Sequence, residues 1–140
     1  ISNQAANCSF DANVAAGRKA YEMAGVSAKD IDFVELHDCF SMAEIIDSED
    51  LGLVPRGKGA IWAAEGRTQV GGEIPINPSG GLIAKGHPVG ATGVGQLYEA
   101  TLQLRGLHPN QVKDAAIGMT HNLGGTGVAC SVSILARPDA

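Results

Sequence analysis

Apolar residues recur along this chain with two different periods. Val14, Ala16, Ala20, Tyr21 and Met23 keep helical spacing after Asp11, and Gly25 follows in the position that commonly ends a helix. Asp11 is placed to cap that helix. Ser27 and Asp30 have the spacing of a short capping turn. Ile31-Asp-Phe-Val-Glu-Leu36 is a nearly continuous apolar run, which predicts a strand covered on both faces. Met42, Ala43, Ile45, Ile46 and Leu51 return to helical spacing and close at Gly52. Residues 53–72, with Pro55 and repeated glycines, predict a long loop. Ile74 to Ile76 reads as a short extended piece. Pro88 suits the first position of a helix running through Gln96, Leu97, Leu102 and Leu104 to Gly106. Two strands close the chain, 114–121 and 127–135. In the second, Val128, Cys130, Val132 and Ile134 alternate with Ala129, Ser131 and Ser133.

Strands interleaved with helices make an α/β pattern, and 140 residues suffice for one domain. Residues 1–10 read as an irregular lead-in and 11–140 as the domain. A net charge of −5 without a Lys or Arg run argues against a nucleic-acid surface, and no stretch approaches the ~20 apolar residues of a membrane span. The three cysteines are odd in number and widely spaced, which argues against a disulfide framework and for a reducing, cytoplasmic setting. The chain starts at Ile1 without a signal pattern, which suggests a piece of something longer. Its ending, Arg137-Pro-Asp-Ala140, is not a peroxisomal address.

Gly52 to Gly59 nearly spells a phosphate-binding loop, but Gly59 stands where Ser or Thr is required. The glycines around 90–95 miss the dinucleotide spacing. His37, Cys39, His87 and His121 lack paired metal-ligand spacing, so no metal is assigned. Ligand chemistry in α/β sheets gathers past the carboxyl ends of strands, where His37 and Cys39 fall. There an imidazole or a helix N-terminus can favour the Cys39 thiolate; the plainer reading is a small hydrophobe at the core's edge. His87 falls at the mouth of a helix, able to donate to a developing negative charge. Cys8 and Cys130 read as structural and His108 as solvated, while His121 reads either as pocket lining or as packed. The turn Asn122-Leu-Gly-Gly-Thr126 can aim backbone N–H groups at a carbonyl oxygen.

Asn77-Pro-Ser-Gly-Gly81 with Gly86-His-Pro-Val-Gly-Ala-Thr-Gly93 resembles the thiolase signature around its catalytic Gly-His-Pro. His37-Asp-Cys-Phe40 and His121-Asn-Leu-Gly-Gly125 resemble the variants of sterol-carrier-protein-type thiolases, and the likeness spans residues 11 to 136. It implies a thiolase carboxy-terminal domain, a mixed five-stranded sheet with covering helices that packs on a similar amino-terminal domain in a homodimer. It implies an acyltransferase of lipid metabolism acting on acyl-CoA, with coenzyme A as substrate and no cofactor. Carried over, His87 would activate the nucleophile and donate to the thioester oxygen. His37 would hold an oxyanion-binding water, and Cys39 would move the α-proton. Backbone N–H groups near Leu123 and Gly124 would form part of a second oxyanion hole, with Asn77 among the substrate-binding groups. His121 stands where the common family has its acid/base cysteine. The acylated cysteine belongs to the amino-terminal half, so this chain alone is expected to be inactive. Two rivals stand beside the thiolase: a thiolase-like retro-aldol lyase, and a non-catalytic acyl-CoA or lipid-binding module.

Overall fold

The computed structural model describes residues 9–125 and 127–138; Cys8 and most of the 1–10 lead-in lie outside them. Helix α1 (Asp11–Ala24) stops where Gly25 turns left-handed, with φ +68°, a conformation that costs other residues a Cβ clash. Phe10, not Asp11, is the residue flanking its start, and Asp11 makes no side-chain cap. The Ser27/Asp30 capping box forms on both sides around a single 3₁₀ turn. Strand β1 is shorter than the apolar run that predicts it, Phe33–Glu35, because only those residues pair with β2 (Ile117–Gly124). Helix α2 (Ser41–Asp50) follows β1.

The Gly-rich middle holds more order than its composition announces. Helix α3 (Gly59–Ala64) interrupts the expected loop, and α4 (Gly81–Lys85) forms within the glycine-rich stretch. Pro88 does not open the next helix. Its carbonyl accepts the N–H groups of Ala91 and Thr92, and α5 (Thr92–Leu104) begins only after that turn.

Among the described residues the sheet has three strands, β1-β2-β3, not five. β1 runs parallel to β2, and β2 antiparallel to β3 (Ala129–Ala136), with one isolated bridge from Val34 to Ile76 beyond β1. β2 therefore extends through Leu123 and Gly124, past the expected end at His121. Successive β1 side chains serve opposite faces. Val34 joins Leu36, Leu51, Val54, Ile76 and Met119, with Tyr21 of α1 packed against them; Phe33 joins Ala100 of α5, Val112 and Ala115. Gly118 lies under the Phe33 ring, with no room there for a methyl. Burial of a side chain like Phe33 is worth roughly 1.5–3 kcal/mol. On β3, Cys130, Val132 and Ile134 are half-buried as their alternation predicts, but Val128 is 82% exposed. Among the described residues no helix is long and apolar enough to cross a membrane.

One feature of the register positions everything else. β1 pairs with β2 only as far as Glu35 opposite Thr120, so β2 overhangs from His121 to Gly124 with no strand on that side among the described residues.

Candidate active site

Beside that overhang lies a cavity of about 600 Å³, lined among others by His37, Cys39, His87, Leu123 and Gly124. Residues far apart in order are brought to one place by the β2 overhang, by Asp38 and by Thr92.

His37 and Cys39 leave the end of β1. Asp38 between them is buried, and its carboxylate accepts the Leu82 N–H (2.6 Å) and the Ile83 N–H (3.2 Å) at the start of α4. That ties the His37–Cys39 turn to the segment leading to His87. Gly81 sits against the same carboxylate, at φ +63°, and a Cβ there would overlap Asp38.

His87 is held by the first residue of α5. Its Nδ1 lies 2.7 Å from Thr92 Oγ1, and the Thr92 hydroxyl donates to the Pro88 carbonyl at 3.2 Å. The hydroxyl proton being spent, Thr92 oxygen accepts from Nδ1–H, which leaves His87 Nε2 with a lone pair. The His37 and His87 rings meet edge to face, centroids 4.9 Å apart. Burial first, then the His87 ring, holds His37 below the ordinary imidazole range. Its Nδ1 is buried with no hydrogen-bond partner among the described residues.

The Cys39 thiol is pushed up, by burial first and then by the charge of Asp47. This reverses the expectation that an imidazole or helix N-terminus favours its thiolate: burial first, and then the Asp47 charge, act the other way.

The expected residues do not all arrive. Asn77 is absent from the cavity lining. Its Oδ1 accepts the Leu36 N–H at 2.8 Å, and its Nδ2 donates to Glu44 at 3.0 Å. With both ends engaged, its position gives no support to a substrate contact; it clamps the end of β1 to α2. His108 is not solvated but buried, 3.2 Å from the Glu99 carboxylate. His121 is packed rather than pocket-lining, fully buried, with Nε2 2.9 Å from Asn13 Oδ1. Asp38, Thr92 and Asn13 escape a reading by residue type; a buried acid and an Asn inside apolar helical repeats are the only hints. Among the described residues no cluster of His, Cys, Asp or Glu could hold a metal ion.

A family model described as thiolase C-terminal domain-like matches residues 1–137. The chain is 52% identical over 129 residues to an acetyl-CoA acetyltransferase of Methanothermobacter thermautotrophicus, covering 91% of this chain and 34% of that protein. It is 47% identical over 133 residues to human sterol carrier protein 2, covering 94% and 24%. The chain thus spans about a third or less of these relatives' length. Among solved structures, an Ltp2-ChsH2(DUF35) aldolase superposes with a TM-score of 0.76 at 28% identity, over 90% of this chain and 32% of that one.

Proposed function

The chain belongs to the thiolase C-terminal domain-like family, and we propose that it is the acid/base half of a thiolase-like acyl-CoA acyltransferase. The observation that carries this is the convergence of His37, Cys39, His87 and the Leu123–Gly124 backbone on one cavity. The reaction is thiolytic cleavage, or the reverse condensation, of a 3-oxoacyl-CoA. Its difficulty is the enolate beside the thioester, whose charge must be met by donors already in place. The two imidazoles at the cavity, His37 and His87, would serve that need in different ways. The unpaired Nδ1 of His37 supports the role of holding an oxyanion-binding water. His87 Nε2 accepts the proton of the nucleophile and, once protonated, donates to the thioester oxygen.

Cys39 gives a proton to the α-carbon or takes one from it. A thiol kept protonated by burial and by Asp47 suits delivery to the enolate, the step that completes cleavage. The amino-terminal thiolase half would supply the acylated cysteine and close the cavity, and two such proteins would form the dimer. In the complete protein, Cys39→Ala or His87→Ala should lower turnover of an acetoacetyl-CoA probe by roughly 10²–10⁴ with the fold intact. Full activity in both variants removes this reading.

The likeness to an aldolase supports a second reading, retro-aldol cleavage of a β-hydroxyacyl-CoA without an acylated cysteine. Turnover of 3-oxoacyl-CoA with free coenzyme A, against turnover of the hydroxy compound without it, separates the two.

A further inference from the structure

Behind the cavity wall lies a block of polar side chains that are not among the residues lining it. Asn13, Asp47 and His121 are all fully buried, on α1, α2 and β2 respectively. Groups withdrawn this far from water persist only when matched to one another. The Asn13 carboxamide donates from Nδ2 to Asp47 Oδ1 at 2.7 Å and, less closely, to Asp50 Oδ2 at 3.4 Å. With its NH₂ turned to two carboxylates, Asn13 presents Oδ1 to His121 Nε2 at 2.9 Å. A carbonyl oxygen only accepts, so the His121 proton sits on Nε2 and Nδ1 is bare. Bare Nδ1 accepts the backbone N–H of His37 at 3.4 Å.

We infer that Asn13 and His121 are positioning residues for the proton-transfer site. Asn13 selects the His121 tautomer, and His121 through Nδ1 sets the turn that carries His37 and Cys39. This rests on the acid/base reading above. The chemistry explains why a histidine is useful at a place where it meets no substrate. It is a rigid acceptor on the stretch of β2 that runs past β1, reaching across the gap where β1 has stopped pairing.

The two shorter amides divide the histidine's functions. An Asn side chain can place its oxygen where Nδ1 was, whereas a Gln side chain reaches the place of Nε2 and offers His37 nothing. In the complete protein, His121→Gln should lower kcat about fivefold to tenfold with KM unchanged, and His121→Asn should hold kcat within about twofold of the parent. Full kcat in His121→Gln, or equal losses in both variants, overturns the inference. If either variant fails to fold, ¹⁵N-histidine spectra of the parent protein decide it. A proton on Nε2 with Nδ1 bare supports it, and the opposite tautomer overturns it. Cys39→Ala run alongside separates the levels. An inactive Cys39→Ala with a fully active His121→Gln removes only the positioning role, whereas full activity in both Cys39→Ala and His87→Ala removes the reading beneath it.

Discussion

Two regions at neighbouring strand ends are built from the same kinds of residue and come out opposite. Facing the cavity, His37 Nδ1 has no hydrogen-bond partner among the described residues, and His87 spends one nitrogen on Thr92 while Nε2 keeps its lone pair. Behind the wall, both His121 nitrogens have hydrogen-bond partners, while among the described residues Asp47 Oδ2 makes no hydrogen bond and lies 3.8 Å from His121 Nδ1. What separates the cavity histidines from the packed one is the unspent bonding capacity their neighbours leave them, which residue type does not reveal.

The widest break in this comparison comes from protons inside the buried block. Burial holds His121 down at about 4 from 6.5 and pushes Asp47 up to about 7 from 3.8, and neither shift has the other group as its cause. Between about pH 4 and 6.5 the unfolded chain protonates the His121 imidazole and the folded one does not, so this group makes stability rise with pH. Over the same window the folded chain keeps the Asp47 proton and the unfolded one has lost it, so Asp47 makes stability fall with pH. Each slope is about 1.4 kcal/mol per pH unit, and they oppose. Asp47→Asn should therefore tilt stability upward with pH relative to the parent, and His121→Asn downward, each accumulating roughly 3 kcal/mol across the window. Denaturant unfolding of the complete protein from pH 4.5 to 6.5 checks this; tilts of the same sign would break the pairing.

A smaller effect belongs to the link between the regions. Asp38→Ala leaves the Leu82 and Ile83 N–H groups without their acceptor, and should cost about 1.5–3 kcal/mol of stability together with activity. Equilibrium unfolding and turnover measured together would show both losses. The smallest is expected at the rim. Thr92→Val keeps the shape and removes the anchor of His87, so activity should fall roughly threefold to tenfold while unfolding moves by no more than about 1 kcal/mol. Loss of stability without loss of activity would place Thr92 with the structural block instead.

Much of the scaffold is legible in the sequence because it is periodic. α1, α2, the body of α5 and the closing hairpin all follow spacing that only one backbone geometry satisfies. α3 and α4 were hidden because glycines mask apolar spacing, and their stability comes from partners elsewhere, such as the Asp38 carboxylate at the start of α4. The start of α5 was displaced because Pro88 fits a preceding turn as well as a first helical turn. His37, Cys39 and His87 could be picked out as candidates from their places at element ends and from family likeness. His108 and His121 could not be sorted, since what decides each is a partner distant in the chain: Glu99 for one, Asn13 for the other. The lift in the Cys39 thiol was equally out of reach, for it depends on burial and on a carboxylate from α2.

The fit between Asp38 and Gly81 has a consequence for how this protein can drift. A carboxylate wedged against bare backbone admits no substituent at 81, and shortening the acid strands two amides, so neither position can change alone or compensate for the other. Exposed neighbours such as Ile83 and Val89 carry no such mutual veto from within this chain. Tolerance to mutation should alternate residue by residue along this segment, and the invariant residues would trace the joint as well as the chemistry.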